Sequence, residues 1–381
     1  MSTLNKIFYG SAGTGKTREA TIEALNILNK SDKVDFSFNI DEEKDIFEKL
    51  KNYSKQRILN LPKDFYTKDA INDINYRDID YLFDYSQSSG ALKKAKISKD
   101  NILDYRLNPL IEMVTFHPSY SYQDFVEGIT VETNENNEIS YNVKDGIFKK
   151  ICNRAIANPE YNYVLLIDEI NRGDISSIFG ELFTLLEDTK REELSINLPY
   201  SKDNMGNPEK LTVPNNLYIV ATMNTVDKSI ALIDVALRRR FDFVEMKPEP
   251  ELLNDINVKI DDINLVNMLK AINERITILK NEHYQIGHSY FLKIETFDDL
   301  KRVMTKNIIP LLQEYFYDDW ESICAVLNQP FKNPIDNQGL FNIKDAEKSK
   351  FLEEFNELKA YSNKKIIIVR DFNANDIKTI Y

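Results

Sequence analysis

The residues best suited to chemistry lie near the start of the chain, in the stretch GSAGTGKT. This stretch matches the G-x-x-x-x-G-K-[ST] pattern of a phosphate-binding loop and follows a short apolar run. In such a loop, backbone N–H groups surround the phosphate oxygens, and the positive end of the next helix points towards them. Lys16 then reaches the β and γ phosphates, and the Thr17 hydroxyl binds Mg²⁺. We expect the whole stretch to bind a nucleotide: Gly10, Ser11, Ala12, Gly13, Thr14, Gly15, Lys16 and Thr17.

Two adjacent carboxylates follow an apolar run further along the chain. Asp168 and Glu169 come directly after VLLI, which has the composition of a buried strand. At the end of such a strand Asp168 can hold the Mg²⁺ shell, and Glu169 can polarise a water for attack on the γ phosphate. A strand that ends in Asp-Glu is often only structural. Its combination with the phosphate loop favours the catalytic interpretation.

Two polar features stand at the boundaries of later apolar runs. Asn224 ends the run LYIVATMN, where it can orient the attacking water or be an ordinary turn residue. The triplet Arg238, Arg239 and Arg240 precedes the last predicted strand. It is either a solvated run of charge or the source of an arginine that reaches the γ phosphate of a neighbouring subunit. The second interpretation requires a ring and makes turnover depend on assembly.

The elements that position these residues follow from the hydrophobic pattern. Short apolar runs alternate with amphipathic stretches, which predicts an α/β fold with a parallel sheet. Five strands are predicted, at residues 6–9, 112–116, 163–167, 217–222 and 241–245. Between the third and fourth strands, apolar residues at helical spacing predict a helix that packs on the sheet over residues 175–186. From about residue 248 the strand signal stops, and residues 265–279 have the pattern of an amphipathic helix.

The predicted domain organisation has three parts. Residues 1–247 form an α/β nucleotide-binding core, residues 248–340 a helical lid domain, and residues 341–381 a C-terminal extension with a short strand. The stretch at about 31–110 is rich in Asp, Lys, Asn and Tyr, and we interpret it as an insertion. A loop of this length is usually functional or partly disordered, and composition does not choose between the two.

Composition excludes several classes of protein. The formal net charge of −12 argues against broad electrostatic binding to nucleic acid. No apolar run is long enough to span a bilayer, and the first residues do not resemble a signal peptide, so a cytoplasmic location without membrane contact is expected. Cys152 and Cys324 are far apart and outside any CxxC pattern, which argues against a disulfide or zinc site. Outside the nucleotide motifs we find no carboxylate–lysine cluster of the nuclease kind.

The four motifs, in this order, are similar to those of AAA+ proteins, and further segments resemble the McrB family. The segments FHPSYSYQDF at 116–125, DGIF at 145–148 and IDEINR at 167–172 resemble that family's FHxSYSYEDF, DGIF and IDEINR. MNTVDKS at 223–229 resembles its MNTxDRS signature. In the helical part, IGHSYF at 286–291 and IPLLQEYF at 309–316 resemble its IGHSYF and IxPLLxEYF. The resemblance covers roughly residues 6–30 and 112–325.

The resemblance implies a AAA+ P-loop core with a five-stranded parallel sheet and an α-helical lid. It also implies a hexameric ring that hydrolyses GTP, binds an McrC-like endonuclease subunit and drives cleavage of modified foreign DNA, as in antiphage defence. By the same resemblance, Asn224 and Asp227 position the catalytic water, and Arg239 and Arg240 are the candidate interface arginines.

Three features depart from the family pattern. Lys228 stands where the signature has Arg, and a lysine cannot make a planar bidentate contact. The insertion at about 31–110 is longer than expected and can touch the partner, DNA or a ring neighbour. The phosphate loop begins at Gly10, which leaves no room for an amino-terminal domain that reads modified DNA, so we expect recognition to lie in another subunit, in the insertion, or to be absent.

Two other functions stay open at this point. One is an ATP-driven remodelling factor of the MoxR kind, and the other is a nucleotide-gated scaffold with little turnover. GTP preference rests on resemblance alone. His117 and His288 are more plausible as structural than as catalytic histidines. The segment at 116–125 is either a loop that faces the pore of a ring or a packed loop near the site.

Overall fold

A parallel β-sheet of five strands is the main feature of the fold. The computed structural model describes residues 4–29, 110–133, 139–226, 235–254, 262–331, 339–345 and 364–381. Within these residues the strands are β1 (Asn5–Gly10), β2 (Ile111–Thr115), β3 (Glu127–Thr133), β4 (Ile139–Asp145), β5 (Tyr163–Asp168), β6 (Ile196–Lys202), β7 (Pro208–Leu211), β8 (Leu217–Asn224), β9 (Asp242–Glu245), β10 (Phe341–Asp345) and β11 (Lys365–Val369).

The described residues also form α-helices of 4 to 15 residues. They are α1 (Lys16–Asn29), α2 (Tyr122–Phe125), α3 (Ile147–Ala157), α4 (Ile175–Phe179), α5 (Val235–Arg238), α6 (Leu265–Leu279), α7 (Phe297–Val303), α8 (Ile309–Phe316), α9 (Trp320–Val326) and α10 (Ala374–Lys378). The chain divides into two compact units. The sheet unit comprises Met1–Tyr9 and Lys16–Glu245, and the helical unit comprises Gly10–Gly15 and Met246–Tyr381. None of the described helices is both long and apolar enough to cross a membrane.

The order of the five-stranded sheet is β2-β5-β8-β1-β9. Its strand β5, which lies between β2 and β8, is buried over Tyr163, Val164, Leu165, Leu166 and Ile167, as expected for a parallel sheet covered on both faces. The predicted α/β class and all five predicted strands are confirmed, with ends that differ by one or two residues. Because parallel strands end at the same edge, this sheet brings the ends of β5 and β8 together: Ile167 pairs with Ala221.

The core of the sheet unit is rich in aromatic rings. Phe116, Phe125 and Phe179 are fully buried and lie within 6.2 Å of each other by ring centroid. Phe148 adds a fourth ring, 5.0 Å from Phe125. The segment at 116–125 therefore packs into the core through both ends, while His117 and the two residues after it are exposed.

The amphipathic segment at 175–186 does not form one α-helix. Asp174 caps α4, because its carboxylate accepts a hydrogen bond from the Ser177 backbone N–H at 3.2 Å. The α-helix stops at Phe179, because Gly180 has a φ of +50°, and the chain continues as a 3₁₀-helix over Gly180–Leu186. The predicted burial holds for Ile178, Phe179, Leu182 and Leu186, so the core-facing side survives the change of helix type.

Three antiparallel hairpins, β3–β4, β6–β7 and β10–β11, were not predicted from the sequence. In the region 341–381, where one short strand was expected, the structure has β10, β11 and α10. The hairpins β3–β4 and β6–β7 are joined by a buried ionic cluster. Lys149 in α3 bonds to Glu209 at 2.9 Å and to Asp145 at 2.8 Å, and it lies 3.4 Å from the Glu127 carboxylate.

In the helical unit, α6 is capped by Asn264, whose side chain accepts from the Asn267 N–H at 2.9 Å. Its buried face includes Leu265, Leu269, Ile272 and Ile276, as the sequence pattern predicts. The helices α7 and α8 are connected by a π-helical turn over Met304–Ile308. Pro310 follows this turn at the start of α8. A proline lacks an N–H group and crowds the preceding turn, and a widened π turn accommodates it.

Candidate functional site

The phosphate loop joins β1 to α1 and is shaped by two glycines with positive φ. Gly13 has a φ of +78° and Gly15 a φ of +83°, values that L side chains adopt only with strain. Within the loop, the Thr14 hydroxyl donates a hydrogen bond to the Ser11 carbonyl at 3.0 Å. Local sequence explains this geometry, because the glycines stand where the backbone must turn. The loop has the backbone that the sequence motif predicts.

A second backbone segment of the helical unit lies against the loop. The Gly287 N–H donates to the Ala12 carbonyl at 2.9 Å, and the Ser289 N–H donates to the Gly13 carbonyl at 3.0 Å. A Cβ at Gly287 would lie 1.9 Å from the Gly13 carbonyl carbon, so only glycine allows this approach. Sequence reasoning did not assign this role to the IGHSYF segment, although the resemblance had singled it out.

His288 in that segment has a structural hydrogen bond. Its Nδ1 accepts from the Glu249 backbone N–H at 3.0 Å, and the side chain is buried. Because a backbone N–H can only donate, Nδ1 is unprotonated and the hydrogen of the neutral ring is on Nε2. His117 is exposed, with its ring edge-on to Tyr120 at 5.6 Å. The bond to Glu249 agrees with a structural role for His288.

The carboxylate pair of the sheet unit is organised by two threonine hydroxyls. The Asp168 Oδ1 accepts a hydrogen bond from the Thr222 hydroxyl at 2.6 Å and a longer one from the Thr17 hydroxyl at 3.4 Å. The Thr222 oxygen also accepts from the Glu169 backbone N–H at 3.1 Å. Thr222 thus ties both acidic residues to β8. Sequence reasoning missed it, since it looks like any other residue of a β strand.

Glu169 has a left-handed backbone conformation, with φ 53° and ψ 48°. This conformation is uncommon for a residue other than glycine, and strained residues of this kind often occur at functional sites. Its carboxylate lies 3.7 Å from the Arg172 Nε. The strained turn directs the chain out of β5 and into the short 3₁₀-helix Ile170–Arg172.

The end of β8 is held by the side-chain amide of Asn171, a residue that follows β5 in the chain. The Asn171 Nδ2 donates to the Asn224 backbone carbonyl at 2.9 Å, and the Val226 N–H lies 3.4 Å from the Asn224 Oδ1. Asn224 is therefore at the same edge of the sheet as Asp168 and Glu169, as predicted. Asp227 and Lys228 lie outside the described residues.

The three arginines have different surroundings. Arg238 is exposed, and its guanidinium lies 5.4 Å from the Phe243 ring centroid. Arg240 is half-buried and forms an ion pair with Glu187 at 2.7 Å. Arg239 is exposed, and within the described part of the chain its side chain has no hydrogen-bond or ion-pair partner. It borders a cavity of about 430 Å³.

The oxygen atoms of Thr17 and Asp168 fit a magnesium ion. Mg²⁺ prefers hard oxygen ligands and usually keeps several waters, with few protein ligands and the substrate phosphates completing its shell. The two side-chain oxygens are 3.4 Å apart, close enough to share one ion. No group of three or more His, Cys, Asp or Glu side chains in the described ranges is placed to hold a metal, and a magnesium–nucleotide site does not need one.

A phosphate loop after β1, a carboxylate pair after β5, a polar end to β8 and the sheet order β2-β5-β8-β1-β9 together define a AAA+ nucleotide hydrolase domain. Comparison with protein families agrees with this class. Residues 100–241 match the AAA domain (dynein-related subfamily), and residues 264–324 match the McrB alpha-helical lid domain. The chain thus combines a AAA domain with a helical lid of the McrB type.

Two curated relatives are similar to this chain. The EcoKMcrB subunit of a type IV methyl-directed restriction enzyme of Escherichia coli (strain K12) is 38% identical, over 55% of this chain and 48% of the relative. The YdiS component of the type II restriction enzyme BsuMI of Bacillus subtilis (strain 168) is 30% identical, over 37% of this chain and 50% of the relative. The chain thus spans about half the length of each relative.

Proposed function

We propose that this chain is the ring-forming motor subunit of a restriction system, which hydrolyses GTP and acts with an McrC-like endonuclease subunit. The observation that carries the hydrolase part is the Asp168–Thr222–Glu169 network, because it holds a strained glutamate beside a magnesium-type carboxylate. The restriction part is supported by the matched lid and by the two relatives, both of which are restriction components.

Binding of the nucleotide falls to the loop and the start of α1. The backbone N–H groups of residues 10–15 surround the phosphates, and the α1 N-terminus adds a positive partial charge. Lys16 places its ammonium near the β and γ phosphates, and Thr17 with Asp168 holds Mg²⁺. When bound, Mg²⁺ neutralises charge that develops on the phosphate oxygens. Preference for GTP over ATP is proposed from the family and not from a guanine-reading residue.

Hydrolysis requires a water held in line with the γ phosphate. Glu169 polarises this water by accepting a hydrogen bond from it. The left-handed backbone of Glu169 and the bond of its N–H to Thr222 fix the position from which its carboxylate extends. Asn224, and Asp227 in the MNTVDKS segment, orient the same water.

Completion of the site by a neighbouring copy is the reason for a ring. Arg239 extends from the surface of the sheet unit without a partner among the described residues. A guanidinium that reaches the γ phosphate of the adjacent subunit stabilises charge in the transition state and raises turnover by about 10³- to 10⁵-fold in related systems. We propose a hexamer, in which every site is completed by the next subunit.

Steady-state phosphate release tests this proposal. The purified chain is assayed with Mg²⁺ and either GTP or ATP, with and without the product of a neighbouring McrC-like gene. Lys16→Ala is the negative control, and light scattering with each nucleotide reports the ring. We expect GTP preference, assembly with nucleotide and stimulation by the partner. Preference for ATP or indifference to the partner contradicts the restriction-motor proposal and favours a MoxR-like remodelling ATPase.

A further inference from the structure

Adjacent arginines at the start of β9 differ in how tightly they are held. Arg240 is 14% exposed by side chain, whereas Arg239 is exposed and unpartnered among the described residues. A charged side chain that is largely removed from water needs hydrogen bonds and a counter-ion, and Arg240 has them. This difference in contacts indicates separate roles for Arg239 and Arg240.

Arg240 contacts the 3₁₀ segment Gly180–Leu186 and the residue after it at three points. Its Nη2 pairs with the Glu187 Oε1 at 2.7 Å, and its Nε–H donates to the Phe183 carbonyl at 2.5 Å. Its guanidinium also lies 5.8 Å from the Phe183 ring centroid. A planar guanidinium held by a carboxylate, a carbonyl and a ring has little freedom to leave its own subunit.

The backbone of Arg240 is held as well as its side chain. Asn5 at the start of β1 is 1% exposed, and its Nδ2 donates to the Arg240 carbonyl at 2.8 Å and to the Leu186 carbonyl at 2.7 Å. The Asn5 Oδ1 accepts from the buried Arg191 at 2.6 Å. One buried amide thus joins the arginine triplet to the end of the 3₁₀ segment.

That segment is the continuation of the chain that leaves the carboxylate pair. From Glu169 the chain runs through Ile170–Arg172, α4 and Gly180–Leu186 to Glu187. Arg240 contacts the end of this stretch through its ion pair with Glu187 and its bond to the Phe183 carbonyl. Arg239, the preceding residue, is thus attached to a residue that is anchored where β1 begins, at the edge of the sheet opposite the one that carries Glu169.

We propose that Arg240 is a positioning residue, anchored by Glu187, Phe183 and Asn5, that sets the direction in which Arg239 reaches the nucleotide of the neighbouring subunit. This inference rests on the proposed function, since it needs a ring and an arginine that acts in trans. It assigns the two arginines, which the sequence treats alike, to separate roles: Arg239 contacts substrate, and Arg240 acts through Arg239.

A subunit-mixing experiment with the full chain tests the assignment. Arg239→Ala provides acceptor subunits that bind nucleotide but offer no arginine. Lys16→Ala provides donor subunits that offer Arg239 but cannot hydrolyse. Mixing the two restores phosphate release at the mixed interfaces. The Glu187→Gln substitution is then introduced into the Lys16→Ala donor. In the matched control, the Lys16→Ala donor carries Glu112→Gln instead. This substitution breaks a comparable ion pair of the same unit, Arg154–Glu112 at 2.6 Å.

We expect the Glu187→Gln donor to restore about tenfold to a hundredfold less phosphate release than the parent donor, because misplacement of a catalytic group by about 1 Å costs on this scale. The acceptor's KM for nucleotide stays unchanged, and the Glu112→Gln donor behaves as the parent. Donors with Arg240→Lys, which keeps the charge opposite Glu187, retain more activity than donors with Arg240→Met. The expected difference between the Lys and Met donors keeps the test decisive even where another variant folds poorly.

Two outcomes overturn the inference, and they are distinguishable. Full restoration by the Glu187→Gln and Arg240→Met donors, with an inactive Arg239→Ala homomer, shows that Arg239 works without the anchor and leaves the proposed function intact. Parent-like turnover by the Arg239→Ala homomer itself shows that Arg239 does not act in trans. This result contradicts that part of the proposed function and also the positioning role of Arg240.

Discussion

Replacing Thr222 by valine tests whether the hydroxyl between the two carboxylates organises the hydrolysis site. The change keeps the shape of the side chain and removes two hydrogen bonds, one to the Asp168 Oδ1 at 2.6 Å and one from the Glu169 N–H at 3.1 Å. A bond to a charged group contributes about 1.5 to 3 kcal/mol and a neutral one about 0.5 to 1.5 kcal/mol, so the sum is about 2 to 4.5 kcal/mol. The share of this free energy that bears on Glu169 comes from the neutral hydrogen bond and from the cost of leaving the Glu169 N–H without its partner.

Since about 1.4 kcal/mol corresponds to a factor of ten in rate, we expect kcat to fall about 10- to 100-fold. Nucleotide affinity changes by no more than about threefold, because the phosphates are bound mainly by the loop and Lys16. Thr222→Ser, which keeps the hydroxyl, retains most of the activity. Thr277→Val, which removes a helix hydroxyl bonded to the Asn273 carbonyl at 2.8 Å, is the control. Normal kcat in Thr222→Val refutes the argument.

Three further predictions concern packing and ionisation. Lys149→Met should lower the free energy of unfolding by about 3 to 5 kcal/mol in urea melts, since it leaves Glu127 buried without its cation; a loss below about 1 kcal/mol contradicts this. Burial acts to raise the pKa of Glu127, but hydrogen bonds from Ser201 and Tyr200 and the charge of Lys149 hold it below the ordinary value. A depressed pKa contributes stability above the unfolded value near 4.3, and this is lost as pH falls through the folded pKa, so the stability gap between parent and Glu127→Gln should close below about pH 4 and not above it. Gly287→Ala should weaken binding of a fluorescent nucleotide about tenfold or more, because its Cβ would meet the loop backbone at 1.9 Å; unchanged binding excludes the proposed packing.

Local patterns were sufficient to predict the sheet and the phosphate loop. The loop glycines occur where positive φ is needed, and apolar runs such as the one before Asp168 have the composition of a buried strand in an α/β protein. Asn224 was placed correctly at the sheet edge for the same reason. In each case the information lies within a few neighbouring residues.

Contacts between distant residues were not predictable. Thr222 meets Asp168 because Ile167 pairs with Ala221, and this register depends on the whole sheet. The close approach of Gly287 to Gly13 joins positions far apart in sequence, and no local signal marks it. The separate roles of Arg239 and Arg240 depend in the same way on where Glu187 lies.

The hairpin β3–β4, by contrast, left a signal that was not used. Ile129 and Val131 alternate with polar residues at period two, as do Ile139, Tyr141 and Val143, which is the pattern of a strand with one apolar face. These side chains are exposed in the structure. The break of the helix at Gly180 had a signal too, since a glycine inside a helical pattern often marks a change of conformation.

The central claim is that Glu169 activates water at a nucleotide site that includes Thr17 and Asp168. Its most direct test is Glu169→Gln, assayed for binding of Mg²⁺–GTP by fluorescence and for single-turnover phosphate release. Glu181→Gln, which alters a carboxylate bonded to Tyr122 at 2.8 Å, is the control. We expect affinity close to the parent and release slowed by about 100-fold or more. Parent-like release by Glu169→Gln contradicts the claim.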